Sequence, residues 1–420
     1  MRINARIPGL IMLAAVACLP GQAQAGGFQI GEMGVRAMGM ANAFTAVADD
    51  PSAQWYNPAG AAFLDGTRVA AGGDLVLVPG MKFSTNALNP AHPSSATTKS
   101  KTLFVPHLYL SHAFADKPLA AGIGVNSPFG LETDWPENGP FAISNTFSQI
   151  RMVSLNPNVS WKINDHLAIA AGADYFRVLK VRLDNAVQRM SGKGDGWGGN
   201  LALLYRDDRL RLGLSYRSRV RVDINNGTAV GGPALARLGA LRAVGASGAV
   251  STRVVFPDQL NAGIAYAPNE RWLVSLDVDW VNWRTFDNLD FHYAPSTLST
   301  AITGGTNFRT LPERWKATIA IRAGARWNYT PKLQLRAGYT FDPTPVSNQY
   351  YSPGIPDRDR HLFSIGAGYA VNSRLTLDAA YMFAYFVNRD QTASTGTDAV
   401  RNGHYSGNVH LFSASATYRF

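Results

Sequence analysis

Alternation of apolar and polar residues dominates the chain after about residue 65. In WLVSLDVDW (272–280), the apolar side chains share one face, and Ser275, Asp277 and Asp279 share the other. The segment LQLRAGYTF (333–341) alternates in the same way. Because successive side chains of a strand point to opposite faces, both segments are predicted to be strands with one apolar face. No run of 18 apolar residues follows the N-terminal region, which excludes a helical membrane protein.

The apolar faces of these predicted strands end in aromatic rings, such as those of Trp280 and Phe341. Apolar faces bordered by aromatic residues, opposite polar or charged faces, are typical of a barrel with lipid outside and a polar lumen inside. A soluble β-sandwich also alternates, but its polar faces seldom follow aromatic-ended strands this often. The pattern therefore favours an all-β transmembrane barrel over a sandwich.

The spacing of the predicted strands indicates a barrel of fourteen antiparallel strands. Short turns such as ADKP, RDDR and YTPK alternate with long connections along the whole chain. Outer-membrane barrels have tight periplasmic turns and long external loops, and an even number of strands leaves both ends of the barrel on the periplasmic side. The strands are predicted near 66–78, 100–115, 118–129, 146–162, 166–182, 196–206, 209–222, 252–267, 270–286, 313–329, 332–342, 359–370, 373–388 and 404–420. The long connections are predicted at 79–99, 130–145, 183–195, 223–251, 287–312, 343–358 and 389–403.

The first 25 residues are predicted to be a secretory signal peptide. Arg2 and Arg6 precede a short apolar run, and AQA before Gly26 matches the small-residue pattern of a signal-peptidase site. A lipoprotein signal is the alternative, because Cys18 follows small residues, but the Leu usual three positions before such a cysteine is missing. Cys18 is the only cysteine, so the mature chain is expected to have no disulfide framework.

Residues 26–64 lack the alternation that marks the rest of the chain. This segment is rich in Gly and Ala and contains few charges. A barrel of eight strands is filled by side chains, whereas one of sixteen or more leaves an aqueous channel. A fourteen-stranded barrel therefore needs an occupant, and a compact segment of small residues suits that place. The chain is thus predicted to consist of a signal peptide (1–25), an N-terminal hatch (26–64) and a transmembrane barrel (65–420).

Composition and charge argue against several other classes of protein. The formal net charge is +10, or +8 after removal of the signal peptide with its two arginines, which suits anionic ligands or lipid phosphates. The basic residues are scattered rather than clustered, which argues against nucleic-acid binding. The histidines show no metal-ligand spacing, and no G-x-S-x-G nucleophile motif occurs. His404, Ser406 and His410 are only crude candidates for a phospholipase-like pair, so no enzyme activity, metal or cofactor is expected.

The C-terminal segment HLFSASATYRF alternates up to its last residue, Phe420. A terminal aromatic residue after an alternating strand resembles the signal read by the barrel-insertion machinery. Together with the signal peptide and the strand count, it predicts an outer-membrane protein of a Gram-negative bacterium. Outer-membrane lipid and lipopolysaccharide are therefore expected partners.

Several motifs in order resemble the FadL-type outer-membrane transporters for long-chain fatty acids and related hydrophobic compounds, which include toluene and xylene uptake proteins. They run from GGFQI at the mature N-terminus through DDPSAQWYNPA, NSPFGLETDW and YTFDPTPV to IPDRDRHLFSIGAGY. The Asn-Pro-Ala after a Gly/Ala-rich segment and the Ile-Pro-Asp-x-Asp-Arg are the most specific. The resemblance implies a monomeric barrel of fourteen strands whose lumen is closed by an N-terminal hatch.

The resemblance assigns a structural and gating role to Asn57, Pro58 and Ala59, where the hatch meets the wall. Judged from the residues alone, Asn-Pro is more simply a turn before a strand. Pro58 has no backbone donor, and the side-chain amide of Asn57 is able to satisfy neighbouring carbonyl groups.

A second set of candidate residues lies at the end of the third predicted strand. Pro128 cannot donate a ladder hydrogen bond, so it marks at least the end of this strand. The resemblance implies more, namely a kink that opens the wall sideways, with a hatch behind the gap to satisfy the freed backbone groups. The kink residues are predicted to be Asn126, Ser127, Pro128, Phe129 and Gly130.

The remaining candidates concern the ligand. The resemblance places the first mature residues in the ligand pocket, so Gly27 and Phe28 are expected to line it, with plain packing as the alternative. The apolar loop 223–251 is the candidate for one side of an external hydrophobic landing groove, where Arg237 and Arg242 are candidates to meet a ligand carboxylate. No family motif carries these two arginines.

Pro356 and the charged residues after it look like a catalytic cluster at first sight. Neighbouring polar strands pair Asp with Arg at low cost, so Asp357, Asp359 and Arg360 are predicted instead to form a structural ion-pair network on the lumen wall.

The resulting hypothesis is passive uptake of a hydrophobic ligand, most simply a long-chain fatty acid. The ligand lands on the external loops, moves to a lumen pocket and leaves sideways at strand 3 after the hatch rearranges. An aromatic hydrocarbon is the alternative ligand, since it requires no Arg or Lys at the pocket. A general diffusion porin is the alternative of a different class, and steady ion conduction would distinguish it.

Overall fold

The computed structural model of the chain describes residues 26–85, 94–394 and 396–420. The predicted signal peptide, residues 1–25, lies outside the described residues. Strands dominate the described chain and form one continuous antiparallel sheet, in which the first strand also pairs with the last, with Arg68 opposite Arg419. The sheet is therefore a closed barrel, and its wall has 14 strands, as predicted.

The wall strands are numbered 1 to 14 in chain order, and several consist of two segments. Each pairs with its neighbours in the sequence, which gives the simplest up-and-down topology. The bounds are Thr67–Val78 (strand 1), Lys101–Ala113 (2), Leu119–Asn126 with Leu131–Asp134 (3), Phe147–Lys162 (4), Leu167–Asp184 (5), Gln188–Arg206 (6), Leu210–Arg217 with Val220–Gly231 (7), Ser247–Phe256 with Gln259–Asn269 (8), Trp272–Val281 with Asn288–Tyr293 (9), Phe308–Pro312 with Thr318–Asn328 (10), Leu333–Asp342 (11), Arg360–Ala370 (12), Leu375–Phe386 (13) and Val409–Arg419 (14).

The predicted faces of the strands are confirmed in strand 9. Val274, Leu276 and Val278 are exposed on the outer surface, whereas Asp277 and Asp279 are buried on the lumen side. An apolar side chain on the outer surface is stable because lipid surrounds it, and a polar side chain is accommodated inside because the lumen offers partners. The alternation in the sequence therefore reports which side of the wall each residue faces.

The prediction of a long connection at 183–195 is wrong. Strand 6 begins at Gln188, and residues 185–187 alone separate it from strand 5. The predicted connections at 223–251 and 287–312 likewise contain wall segments of strands 7 to 10. At their outer ends these strands extend past the apolar band and carry polar residues on the outer surface too, so alternating hydrophobicity no longer marks them as strands.

Residues 26–64 run inside the ring of wall strands. They include the helices Val35–Met38 and Ala53–Tyr56 and the 3₁₀-helix Pro58–Phe63. Nearly every residue from Met33 to Ala61 is buried.

Hydrogen bonds tie this N-terminal segment to distant parts of the wall. The backbone N–H of Thr45 donates to Asp277 on strand 9 at 2.7 Å, and the Ser160 hydroxyl on strand 4 donates to the Pro58 carbonyl at 2.8 Å. The segment therefore occupies the interior of the barrel.

Small residues let the N-terminal segment and the wall approach at backbone distance. A Cβ atom added to Gly338 on strand 11 would lie 2.3 Å from the carbonyl carbon of Met40, and one added to Gly366 on strand 12 would lie 2.9 Å from the Cα of Gly39. Such contacts leave no space for a side chain, which explains why this part of the lumen contains glycine on both sides of the contact.

Ion pairs hold the middle of the N-terminal segment against one side of the wall. The Asp49 carboxylate accepts hydrogen bonds from Arg326 on strand 10 at 2.6 Å and from Arg211 on strand 7 at 3.3 Å. Arg36 lies 3.7 Å from Asp378 on strand 13. Removal of one partner from such a buried pair leaves an uncompensated charge, which is strongly destabilising. The pairs therefore fix the position of this part of the segment.

The external connections carry the remaining elements. Lys82–Ser84, Ser95–Thr97, Arg389–Gln391 and Gly403–Ser406 form a small separate sheet, and Phe83 and Tyr405 from it pack against Phe141 at ring-centroid distances of 4.7 and 6.2 Å. The helices of these connections are Ala234–Arg237, Leu241–Ala243, Thr297–Thr303, Asn348–Tyr350 and Gly396–Arg401, and a further short helix, Trp283–Thr285, lies in the interruption of strand 9. None of the helices in the described residues is long and apolar enough to cross a membrane.

Substitution of Gly338 by Ala is expected to destabilise the filled barrel, because the added methyl group overlaps the backbone of Met40. Overpacking of this kind costs about 1–3 kcal/mol. The measurement is the temperature at which the purified barrel loses the fast electrophoretic migration of its folded form. The matched control is Gly199→Ala, where the added atom meets only the Gly172 carbonyl oxygen, at 3.4 Å. Equal melting of the two variants would contradict close packing at Gly338.

Candidate functional site

The wall has a gap between strands 2 and 3. The two strands pair from Leu108 opposite Val125 to Ala113 opposite Ala120, whereas residues 101–107 of strand 2 have no partner on strand 3 among the described residues. Strand 3 is interrupted at 127–130 and resumes at Leu131, where it pairs only with strand 4. The interruption falls at the predicted kink, and the missing N–H of Pro128 is one physical reason for it.

The N-terminal segment satisfies the backbone groups that this interruption frees. The Ile30 N–H donates to the Pro128 carbonyl at 2.9 Å, and the Gly130 N–H donates to the Phe28 carbonyl at 3.0 Å. Gln29 thereby forms an antiparallel bridge with Phe129. The first residues of the segment thus act as a short strand on the lumen side of the gap.

Ion pairs close the outer end of the gap. The Lys101 ammonium on strand 2 lies 3.1 Å from both Glu132 and Asp134 on strand 3. Glu132 also accepts a hydrogen bond from Arg151 on strand 4 at 3.0 Å. Below these pairs and above Leu108, the two strands are joined by no backbone hydrogen bond in the described structure.

Phe28 lies at the centre of an aromatic cluster behind the gap. Its ring centroid is 4.9 Å from that of Trp283, 5.4 Å from Phe286 and 5.6 Å from Trp315. The Phe129 ring of the kink is 6.0 Å away. All of these rings are buried, so the cluster links the N-terminal segment, strand 3 and the interruptions of strands 9 and 10.

A cavity of about 550 Å³ lies between the N-terminal segment and strands 1 to 4 and 12 to 14. Its lining includes lumen-facing residues such as Leu103 and Val105 and also Phe104, whose side chain is exposed on the outer surface. The cavity therefore reaches the gap in the wall. Gly27, Phe28 and the kink residues Ser127, Phe129 and Gly130 contribute to the lining, so two of the predicted sets of residues meet here.

A second, smaller cavity continues towards strands 5 to 9. It has a volume of about 50 Å³, and Leu131, Ile150 and Ile355 contribute to both cavities. Apart from Gln149, Arg182, Ser191 and Thr252, its lining residues are apolar or glycine. The two cavities lie on opposite sides of the three shared residues.

The charged residues that line the large cavity are held by ion pairs or by neutral hydrogen-bond donors. The Arg360 guanidinium donates to Asp342 at 2.7 Å, and Asp357 accepts from the Gly27 N–H at 3.1 Å and from the Thr344 hydroxyl at 2.7 Å. The predicted ion-pair network of Asp357, Asp359 and Arg360 is therefore wrong in its pairing. Arg360 pairs with Asp342 instead, because Asp342 on strand 11 lies directly opposite Arg360 on strand 12.

Asp357 and Asp359 are held by neutral donors instead. Asp359 accepts from the backbone N–H of Thr344 at 3.0 Å. Burial raises the pKa of the Asp357 carboxyl to about 6 and that of Asp359 to about 7. Both residues precede strand 12 and lie outside the wall strands.

Asn57, Pro58 and Ala59 do not line either cavity. The Asn57 side-chain amide donates to the carbonyls of Thr45 at 2.9 Å and of Leu203 on strand 6 at 3.0 Å. Its side-chain oxygen accepts from the Ala59 N–H at 3.2 Å. These residues thus join two parts of the N-terminal segment to the wall. Both the nitrogen and the oxygen of the buried Asn57 amide form hydrogen bonds.

Arg237 and Arg242 do not reach the cavities. Both are exposed on the connection between strands 7 and 8, residues 232–246. This connection folds back on itself through the hydrogen bond from the Ala240 N–H to the Leu235 carbonyl at 2.9 Å. Its hydrogen bonds therefore keep both arginines on the outer side, next to the exposed side chains of Leu238 and Leu241.

Several residues of the site were not predicted from the sequence. They are Lys101, Glu132, Asp342, Thr344, Phe256, Trp283, Phe286 and Trp315. The motif YTFDPTPV contains two of them, and the cluster of aromatic residues in WVNWRTF interrupts an alternating strand. Both signals are local, whereas the meeting of these residues depends on contacts between strands that are far apart in the sequence.

The arrangement offers binding surfaces rather than reactive groups. His404 is hydrogen-bonded to the Asp390 carboxylate at 2.9 Å, and His410 is hydrogen-bonded to the Tyr381 hydroxyl at 2.9 Å. Within residues 26–85, 94–394 and 396–420, no group of three or more His, Cys, Asp or Glu side chains is placed to hold a metal ion.

These features define an outer-membrane barrel that contains its own N-terminal segment and an apolar cavity open through the wall. The family model of the outer membrane protein transport proteins (OMPP1/FadL/TodX) matches residues 16–420. The chain therefore belongs to this family of outer-membrane transporters of hydrophobic compounds, and the predicted resemblance and location are confirmed. A family of transporters also agrees with the expectation of no enzyme activity.

Relatives and solved structures agree with this assignment. An outer membrane protein of Neisseria meningitidis serogroup B is 25% identical over 461 residues, with 98% of each chain covered. The long-chain fatty acid transport protein of Escherichia coli O6:H1 is 23% identical over 453 residues, with 97% of this chain and 98% of the relative covered.

Among solved structures, a Pseudomonas aeruginosa FadL homologue has the same fold, with a TM-score of 0.79 at 20% identity, covering 94% of this chain and all of that one. The P. putida toluene transporter TodX has a TM-score of 0.67 at 17% identity, covering 95% and 99%.

Replacement of Asp357 by Asn is expected to remove a pH-dependent loss of stability. The pKa is about 6 in the folded protein and about 3.9 in an unfolded chain, so the folded state binds more protons between these values. The contribution of Asp357 to stability is therefore present below about pH 4 and is lost as the pH rises through 6, about 3 kcal/mol in all. The variant should gain thermal stability over the parent as the pH rises from 4 to 7.

Melting temperatures of both proteins across this pH range provide the measurement. The control is Asp208→Asn, which changes an exposed carboxyl in the turn between strands 6 and 7. If the melting temperatures of the parent and the Asp357 variant change in parallel with pH, ionisation of Asp357 does not destabilise the folded protein.

Proposed function

We propose that this protein carries hydrophobic ligands passively across the outer membrane, by way of the large cavity and out through the gap between strands 2 and 3. The observation that carries the proposal is a cavity of about 550 Å³ that reaches from the lumen to this gap. Its volume is within the range of about 300–1,000 Å³ usual for small-molecule sites. An apolar ligand that leaves sideways enters lipid directly and avoids the aqueous periplasmic opening.

Long-chain fatty acids are the first proposed ligand class. Arg360 lines the cavity, and its guanidinium is the cation proposed to bind a carboxylate head group while it keeps its hydrogen bond to Asp342. The long-chain fatty acid transport protein of E. coli, similar over almost the whole chain, supports this choice.

Aromatic hydrocarbons are the second proposed class, and one observation favours them. Arg360 is paired with Asp342 and Arg151 with Glu132, so both arginines of the lining are already neutralised. A hydrocarbon would bind in such a cavity without separating any charged pair, whereas a carboxylate would have to compete with an aspartate or a glutamate.

The N-terminal segment is proposed to serve as the hatch. Residues 36–61 are held by ion pairs and close packing, and Asn57, Pro58 and Ala59 are proposed to anchor the segment where it meets strands 4 and 6. Gly27 and Phe28 are held by a few bonds at the gap, and they are proposed to move when ligand binds. The gate is thus the first part of the segment, and the remainder stays in place.

The connection between strands 7 and 8 is proposed as one side of the external landing groove. Leu238 and Leu241 expose 68% and 71% of their surface there, which is unusual for neighbouring leucines unless a ligand or a lipid covers them. Arg237 and Arg242 are placed to attract a carboxylate at this first contact.

The protein is proposed to act as a monomer. Strand 1 pairs with strand 14, so apart from the gap between strands 2 and 3 the described sheet offers no unpaired edge to a second copy. The exposed ring of Phe420 at the end of strand 14 is proposed to be read by the barrel-insertion machinery.

Ligand identity is tested by extraction and mass spectrometry of the compounds that co-purify with the detergent-solubilised protein. Fatty acids of long chain are expected, and recovery of aromatic hydrocarbons alone would select the second class. A general diffusion porin is tested in planar bilayers, where steady conductance independent of the N-terminal segment would overturn the transport proposal.

Substitution of Ser127 by Trp is expected to reduce uptake of the labelled ligand by about tenfold or more, because the indole fills the gap through which the ligand leaves. The measurement is the initial rate of uptake by cells that produce equal amounts of folded barrel. Ala171→Trp, on the lipid-facing surface of strand 5, is the control for a bulky residue that does not touch the gap. Undiminished uptake by the Ser127 variant would exclude this exit route.

Deletion of Gly26 to Phe28 is expected to weaken both ligand binding and uptake, because the deletion removes the centre of the aromatic cluster and the donor to Asp357. Binding to the purified barrel is measured by isothermal titration calorimetry with the ligand found by mass spectrometry. Unchanged binding would show that these residues only pack.

A further inference from the structure

The outer surface of strands 5 to 7 has a clear aromatic border. The rings of Tyr175 and Trp197 lie 4.7 Å apart between centroids, and Trp197 exposes 65% of its surface. Below them, Leu201 and Leu203 are exposed in the apolar band, and Tyr216 of strand 7 is exposed opposite Leu201. Aromatic residues of this kind mark the height at which lipid chains meet head groups.

Basic residues gather on the same surface beside and above this border. They lie on five adjacent strands, 4 to 8, and their side chains point outward. The members of this basic patch are Arg151, Arg177, Lys180, Lys193, Arg221 and Arg253. Five of the six lie in strands that the alternation predicted, and Lys193 lies in the part of strand 6 that had been predicted as a connection.

The register of the wall places like charges side by side within the basic patch. Arg151 is directly opposite Lys180, and Lys193 lies on the next strand, between the bulges of strands 5 and 7. Like charges directly opposite each other in a sheet are destabilising. Glu132 already offsets the charge of Arg151, and an anion above Lys180 and Lys193 would neutralise the two lysines.

Acidic residues of the protein neutralise only part of the basic patch. Arg177 pairs with Asp195 and Arg253 with Asp223, each at 2.6 Å, and Arg151 pairs with Glu132 at 3.0 Å. Across the described chain, no carboxylate lies within 4.0 Å of Lys180, Lys193 or Arg221, and all three are exposed. The patch therefore retains three free cations next to an apolar surface.

We propose that the basic patch binds the phosphate groups of the glycolipid of the outer leaflet, the lipid A part of lipopolysaccharide. Lys180, Lys193 and Arg221 meet the phosphates, and the acyl chains lie against the apolar surface below Trp197. The choice of occupant follows from the order of surfaces along the wall, because apolar residues, an aromatic border and cations match acyl chains, an interface and phosphates. The proposal rests on the outer-membrane location and does not depend on the transported ligand.

The test compares lipid A binding by the parent protein and by the triple variant K180S/K193S/R221S. Bisphosphorylated lipid A is added to the purified barrel, and bound lipid is counted by native mass spectrometry. Because a cation at a lipid surface contributes about 1 kcal/mol, loss of three is expected to weaken binding about tenfold or more. The matched control R271S/K332S/R374S removes the same charge from exposed periplasmic turns and should bind like the parent.

Two further probes decide whether phosphate on this glycolipid is what the basic patch recognises. Dephosphorylated lipid A should bind the parent and the triple variant equally weakly, and phosphatidylglycerol should bind less tightly than lipid A. Undiminished lipid A binding by the triple variant, or equal binding of the parent to all three lipids, would overturn the proposal. If the triple variant does not fold, as judged by its electrophoretic migration, K193S alone is compared, with an expected loss of about fivefold.

Discussion

Every backbone N–H and C=O group of a strand in lipid must find a partner within the protein, because hydrocarbon offers none. The closed sheet meets this requirement along most of the wall. Between strands 2 and 3 it does not, since Pro128 lacks a donor and strand 3 turns away after Asn126. There Ile30 and Phe28 of the N-terminal segment bond to Pro128 and Gly130, the residues at which strand 3 is interrupted. At this place the N-terminal segment replaces a neighbouring wall strand as the hydrogen-bond partner. The gap, the aromatic cluster and the cavity all lie around these contacts.

The two parts of the N-terminal segment are held by different forces. Asp49 and Arg36 are joined to charged residues of the wall, and Met40 packs on glycine backbone. The residues at the gap are held by two backbone hydrogen bonds, one bond to Asp357 and ring contacts. Ring contacts and single hydrogen bonds are exchanged at low cost for contacts with an apolar ligand, whereas buried ion pairs are not. This difference gives the proposed gate a physical basis.

Pairing of the two arginines of the cavity follows from contacts between neighbouring wall strands. Asp342 lies opposite Arg360 on strands 11 and 12, and Glu132 accepts a hydrogen bond from Arg151. A chamber whose arginines are paired binds a hydrophobic molecule without separating an ion pair, and the few polar atoms at its edge provide orientation. Of the basic patch outside strands 4 to 8, Arg151 also borders this chamber, whereas Lys180, Lys193 and Arg221 are exposed and do not belong to its lining.

The sequence by itself determined the barrel, its number of strands, the two faces of the strands in the apolar band and the interruption of strand 3 near Pro128. These are local features, because alternation and a proline act within a few residues. Only the tertiary structure decided that strand 6 begins at Gln188, that Arg360 pairs with Asp342 rather than with Asp357, and that Phe28 meets Trp283. Such outcomes depend on strand register and on contacts across hundreds of residues, which a single sequence pattern does not encode. Alternation arises because lipid surrounds the wall, so the sequence marks a strand only within the membrane. The strand ends above the membrane lack this alternation, and for that reason they were not predicted.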